Sequence, residues 1–273
     1  MPHATVNGLS IHYRDSGGDG FPLVLAHGFT GNSRNWALTA PALREKFRLI
    51  SPDHRGHGLS ARPTAREDYD LDLLADDLYQ LLLSIGIGSC YLAGHSMGGM
   101  VAQLLTLAHP DIVRALVLVD TAAELPRSLA AKERYQERQR LVKLAEEQGM
   151  EAVFEEQLRA ADPRVRENEF FVRTWREQFL MTSVHAYIGG AHGMSTRRPV
   201  VDRLGEIKVP TLVICGEKDE PFLQASHVMH ENIAGSELVI IAGAGHSPQI
   251  ETPGEFNRVL VGFLDRVHAG APA

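Results

Sequence analysis

The chain is poor in the features that mark several common classes of protein. Its 273 residues include two cysteines, Cys90 and Cys215, too few for a disulfide framework, and both stand in apolar runs where a packed, reduced thiol is expected. No apolar run is long enough to cross a bilayer, and Met1-Pro2-His3-Ala4-Thr5 lacks a basic segment followed by an apolar stretch. A soluble, cytoplasmic protein with no membrane partner is expected. Basic residues are in deficit: 27 Lys and Arg against 34 Asp and Glu give a formal net charge of -7. The charges are spread along the chain, which argues against a nucleic-acid partner. Internal repeats and low-complexity segments are also lacking. What is left is a chain long enough to bury one large core with a pocket inside it.

That chain has a clear rhythm. Thr5 to Tyr13 reads as two extended segments around Asn7-Gly8, a hairpin. Short apolar runs follow at Leu23 to Ala26, Leu49 to Ser51, Cys90 to Ala93, Ala115 to Val119, Thr211 to Cys215 and Leu238 to Ile241. Between them lie stretches of helical period such as Leu71 to Ile85 and Met100 to Ala108, so the expected class is α/β, a mostly parallel sheet with helices on both faces. The rhythm breaks between residues 121 and 198, where dense charge and helical spacing predict a helical cap inserted between core segments 1–120 and 199–273. In such sheets ligands bind beyond the carboxyl ends of the strands, so the residues just after each apolar run deserve inspection first.

Gly94-His95-Ser96-Met97-Gly98 stands after one of those runs and opens onto a helix. A turn this sharp brings strand and helix nearly into contact, which requires small residues two before and two after the serine. The bare pattern recurs by chance in about one chain of this length in ten, so it needs support. Serine at its own pKa is a poor nucleophile and requires a base within hydrogen-bond reach, with an acid to orient the base. Asp219 follows the run ending at Cys215, and His246 follows the run ending at Ile241. The order Ser96, Asp219, His246, each after a strand, marks one fold in particular.

With these residues in place, the chain resembles the α/β-hydrolase family over nearly its whole length. His27-Gly28-Phe29-Thr30-Gly31 is similar to the family's oxyanion loop, and Asp53-His54-Arg55-Gly56-His57-Gly58-Leu59-Ser60 to its D-x-R-G-x-G-x-S segment. The resemblance implies an eight-stranded, mostly parallel sheet flanked by helices, with a helical cap. It implies Ser96 as nucleophile, His246 as general base and then acid, Asp219 as orienting carboxylate, and the backbone N–H groups of Phe29 and Met97 as the oxyanion hole. Asp120, after Ala115 to Val119, stands where some members carry the acid and is the alternative to Asp219. Relatives that attack alkyl carbon have aspartate at the elbow, so serine here implies acyl transfer to water, with no metal or organic cofactor. His27, His54, His57 and Asp53 lack the H-x-H-x-D-H order of a hydrolytic metal site, so no metal is expected.

The smallest activity that covers the motifs is a carboxylesterase acting on a small-molecule ester with a small to medium apolar moiety. Carbon–carbon bond hydrolysis, enol-lactone hydrolysis and pyruvate elimination of the menaquinone-pathway type stay open as alternatives on the same three residues. Elimination would need cations for a dicarboxylate, for which Arg55, Arg173 and Arg176 are candidates. A small-ligand receptor with residual hydrolase activity is the alternative of another class. The candidate substrate-binding residues are Phe29, His95, Phe170, Trp175, Phe179, Met181 and Phe222, with Trp36 a weaker one. The cap aromatics among them either roof the pocket or bury the cap against the sheet domain. Oligomeric state is not fixed by anything in the sequence.

Overall fold

A hairpin opens the fold, as Asn7-Gly8 dictates. β1 (His3–Val6) and β2 (Leu9–Asp15) pair antiparallel. Both turn residues take positive φ, 51° and 77°, which a two-residue turn matched to the strand twist requires. The computed structural model describes residues 2–125, 129–161 and 163–270; parts of the expected cap and of the second core segment, residues 126–128, 162 and 271–273, lie outside them. β2 also runs antiparallel to β4 (Phe47–Pro52). The remaining pairings, among β3 (Phe21–Ala26), β4, β5 (Cys90–His95), β6 (Val113–Val119), β7 (Thr211–Gly216) and β8 (Glu237–Ile241), are parallel. Together they form one eight-stranded sheet in the order β1-β2-β4-β3-β5-β6-β7-β8.

Each apolar run seen in the sequence is therefore a strand. β5 and β7 are buried at every position, which is why they read as unbroken apolar runs with no alternation. On one face Leu78 and Leu82 of the helix Leu71–Ser84, Val101 and Leu105 of the helix Met97–Ala108, and Met229 of the helix Glu220–Asn232 pack with Leu92, Leu116 and Val213. On the other face the helix Pro253–Gly270 lays Phe256, Leu260 and Leu264 among Leu25, Val117 and Ile214. Trp36 belongs to that second layer, 6.2 Å from Phe256 between ring centroids and 1% exposed. It fills the core beneath the sheet and is no pocket wall.

Between β6 and β7 the described residues hold helices and no strand. The long element Leu129–Ala160 is broken at Gly149, whose φ of 81° and ψ of -178° lie outside helical space. Glu169–Phe179 and Val184–Thr196 follow. Leu141, Ala145, Val153, Phe154, Phe179 and Tyr187 make a small core of their own, with Trp175 packed on it and Phe29 reaching up from the sheet domain. The aromatic stripe therefore mainly binds the cap helices to one another, an outcome different from both expectations for it. Among the described residues no helix is long and apolar enough to cross a membrane.

Candidate active site

Ser96 sits between β5 and the helix Met97–Ala108 with φ 53° and ψ -116°, a conformation that a non-glycine residue adopts only under constraint. The constraint is visible on both sides. A Cβ on Gly94 would stand 2.3 Å from the carbonyl oxygen of Gly98, and one on Gly98 would stand 2.5 Å from the carbonyl oxygens of Ala26 and His27. The backbone is tied as well: Ser96 N–H donates to Val119 at 2.8 Å, and the Thr121 hydroxyl donates to the Ser96 carbonyl at 2.7 Å.

Three side chains then form one hydrogen-bonded line. His246 Nε2 lies 2.9 Å from Ser96 Oγ, and His246 Nδ1 lies 2.6 Å from Asp219 Oδ2. The carboxylate fixes the tautomer: Nδ1 carries the proton and donates to Asp219, which leaves Nε2 free to accept from the serine hydroxyl. Burial, followed by the positive charge of Arg134, holds His246 below its ordinary pKa even though Asp219 pulls the other way. The imidazole is accordingly neutral and basic at neutral pH.

Asp120 lies behind Asp219 and does not meet the histidine. Its Oδ1 accepts from Gly216 N–H at 2.9 Å, and its Oδ2 finds no donor among the described residues. Burial and the neighbouring Asp219 charge push its pKa up, while Asp219 stays below the usual carboxylate range through its bond to His246 and the charges around it. Of these two neighbouring carboxyls, Asp120 is the one that keeps its proton.

The loop His27 to Gly31 passes directly over the serine, since a Cβ on Gly28 would stand 3.2 Å from Ser96 Cβ. Among the described residues the backbone N–H groups of Phe29 and Met97 donate to no protein acceptor. The Phe29 ring stacks on Tyr187 of the cap at 4.9 Å between centroids, which links the loop to the roof. Phe222, one turn after Asp219, covers the His246 ring at 5.0 Å.

The other candidate contacts fare unevenly. His95 is buried against Gly28, and its Nε2 donates to the His246 carbonyl at 2.6 Å, so it props the histidine; burial depresses its pKa to about 3. Phe170 is 70% exposed on the outer surface with Arg173 over its ring. Trp175 and Phe179 pack on Phe154 inside the cap, at 5.0 and 5.8 Å. Met181 Sδ lies 3.9 Å from Asn32 Nδ2, at the seam between cap and core. Of the arginines expected to face a dicarboxylate, Arg55 is buried in a two-pronged pair with Asp77, at 2.6 and 2.7 Å, and Arg176 pairs with Glu151 at 2.7 Å on the outside.

Among the described residues, Arg134 and Arg138 are cations beside the site. Arg134 Nη1 stands 3.4 Å from Asp219 Oδ1 and its guanidinium carbon lies 5.2 Å from the Phe222 ring centroid. Arg138 has its guanidinium carbon 5.9 Å from the Phe29 ring centroid. The sequence carries a signal for them: 134, 138, 141 and 145 share one helical stripe, and Leu141 and Ala145 are buried. Two arginines continuing an apolar stripe in register are turned inward.

A family model described as alpha/beta hydrolase fold matches residues 22–253. The chain belongs to the α/β-hydrolase fold family. Among solved structures, a carboxylesterase of the thaumarchaeon Nitrososphaera gargenis superposes with a TM-score of 0.88 at 27% identity, over 99% of this chain and 100% of that one. The enol-lactonase of Burkholderia xenovorans LB400 gives 0.86 at 27% identity, over 97% and 100%. In sequence, a Bacillus subtilis (strain 168) protein provisionally named 2-succinyl-6-hydroxy-2,4-cyclohexadiene-1-carboxylate synthase is 28% identical over 254 residues, 90% of each chain.

Within this α/β-hydrolase the D-x-R-G-x-G-x-S segment is a structural staple. Asp53 accepts from the N–H groups of Ser33 and Leu59 at 2.6 and 2.9 Å and pairs with His12 at 2.7 Å, while Ser60 Oγ donates back to the Asp53 carbonyl at 2.6 Å. His27 donates from Nδ1 to the Gly28 carbonyl and accepts at Nε2 from His54 N–H, at 2.7 and 3.0 Å. Burial pushes His54 and His57 down to about 3, so these two rings are neutral packing around the Asp53 carboxylate. Asp120, Cys215 and Asp219 have ligand atoms within 4.8 Å of one another, but Asp219 and Asp120 are already bonded to His246 and Gly216, and burial raises the Cys215 thiol.

Proposed function

We propose that the protein is a serine hydrolase that cleaves carboxylic esters of small to medium substrates through an acyl-enzyme. The observation that carries this reading is the unbroken line from Asp219 through His246 to Ser96 Oγ, at 2.6 and 2.9 Å, on a strained turn. Ser96 Oγ attacks the ester carbonyl while His246 Nε2 takes its proton. The imidazolium that forms is stabilised by Asp219, and the tetrahedral oxyanion is received by the N–H groups of Phe29 and Met97, neither of which has another acceptor among the described residues. His246 returns its proton to the departing alcohol. Water then enters, gives a proton to the same nitrogen and attacks the acyl carbon, releasing the acid and restoring Ser96. Phe29 and Phe222 supply apolar walls for the body of a small-molecule substrate. The chemistry calls on no metal or organic cofactor.

Initial rates on p-nitrophenyl esters of increasing acyl length, with Ser96→Ala alongside, test the reading. Turnover should peak at short to medium chains and fall to a few per cent or less in Ser96→Ala. A well-folded wild-type protein whose rate is unaffected by that substitution would overturn it.

A further inference from the structure

Arg138 is an anomaly among the arginines of its helix. Arg140 pairs with Glu137 and Glu156, and Arg159 pairs with Glu156, all on the outer face. Arg134 leans on Asp219, and Arg197, packed nearby, donates to the carbonyls of Met194 and Glu124. Arg138 is half-buried under the cap, and among the described residues it has neither a carboxylate nor a carbonyl within bonding distance. Its surroundings are the Phe29 ring, the Tyr187 side chain and the charge of Arg134 one helical turn away. Burial, followed by the repulsion of Arg134, lowers its pKa to about 10, and its charge reaches His246.

A partly desolvated cation beside a second cation is unfavourable unless an anion arrives to pair with it. Arg134 reaches Asp219, which is already bonded to His246, and the charge of Arg138 acts on the same histidine. The Phe29 ring, beside Arg138 and on the loop that abuts Ser96, suits a methylene or ring spacer, and a planar guanidinium suits a carboxylate. We infer that Arg138, supported by Arg134, is an anion subsite, and that the ester or lactone cleaved at Ser96 carries a second, ionised carboxylate that this subsite holds. The inference rests on the hydrolase reading for the reaction, but the subsite itself can be measured without turnover.

The test uses matched pairs that differ only in the terminal group: monomethyl succinate, glutarate and adipate against methyl butanoate, pentanoate and hexanoate. Binding is read by calorimetry on the full chain with Ser96→Ala, so that no ligand is consumed. The best anionic member should bind at least about tenfold more tightly than its neutral partner, the weight of one charge-assisted hydrogen bond. Adding Arg138→Gln should remove that preference, Arg138→Lys should keep part of it, and added salt should weaken it. Equal binding within every pair overturns the inference with no change at Arg138, so the test survives a variant that folds poorly. A preference that persists in a folded Arg138→Gln protein also overturns it. Wild-type turnover of the same esters tests the reaction separately: activity that persists after Ser96→Ala sinks the hydrolase reading, whatever the binding result.

Discussion

The floor and the roof of the site are built on different terms. Beneath Ser96, apart from the ionised carboxylates Asp219 and Asp53, the groups are neutral and sterically closed: histidines stripped of charge by burial, a carboxyl that keeps its proton, and glycines against which no Cβ fits. Above it, the roof is a charged helical layer with its own small core, joined to the floor through Phe29 on Tyr187 and through Gly189 and Gly193 against Tyr69, and it turns two arginines inward. A floor of that kind fixes a reaction coordinate and leaves little freedom to vary. The roof touches the chemistry where Arg134 stands 3.4 Å from Asp219 and helps hold His246 neutral.

The sharpest way to break this contrast is to damage the floor. Asp219→Asn should lower kcat on p-nitrophenyl butanoate by about 10³–10⁴-fold, because the wrong imidazole tautomer then faces Ser96. Asp120→Asn should cost less than about tenfold, since the neutral amide replaces a carboxyl that is already protonated. Equal losses from the two would mean that both carboxyls orient His246. Gly94→Ala tests the steric closure: forcing a methyl against the Gly98 carbonyl should destabilise the protein by about 3 kcal/mol in urea unfolding. A loss under about 1 kcal/mol would show that the elbow can shift.

The neutrality of the floor makes a pH prediction whose sign is fixed. His54, His57 and His95 are depressed to about 3 in the folded chain, against about 6.5 when unfolded. Below pH 6.5 the unfolded state therefore takes up protons that the folded state refuses. Stability should be full above that pH and should fall on acidification toward pH 3, by up to about 1.4 kcal/mol per pH unit for each histidine. Flat stability from pH 7 to 4.5 would show that these rings are not held neutral. The mildest expected effect comes from the roof. Arg134 is the largest charge that keeps His246 neutral, so Arg134→Gln should move the acid limb of kcat/KM upward in pH, and an unmoved limb would remove Arg134 from the electrostatics of the base.

The same contrast governs what the sequence discloses. Parallel strands covered on both faces must be short apolar runs, and chemistry in such sheets stands just past their ends, so β3 to β8 and with them Ser96, Asp219 and His246 were legible. The roof was not. Phe170, Trp175 and Phe179 share one aromatic segment, yet the structure leaves the first exposed and buries the last. Nothing local to that segment tells which face meets Phe154. Arg55, Arg173 and Arg176 drew notice as cations and proved to be a staple and two surface groups, whereas Arg134 and Arg138 were disguised by the general rule that helical charge is solvated. His95 was legible as a neighbour of the serine but not as a prop, because its partner is a backbone carbonyl that lies far off in sequence.

The backbone of Ser96 carries one more consequence. At φ 53° and ψ -116° any residue with a side chain is strained, by about 1–3 kcal/mol, and glycine alone escapes. Ser96→Gly should therefore raise the melting temperature while abolishing turnover, and a lowered melting temperature would show that the turn is relaxed. The nucleophile of the proposed reaction is then the residue the fold would most readily discard. Stability alone would favour glycine here, so a serine at this position carries a strain that the proposed catalysis would account for.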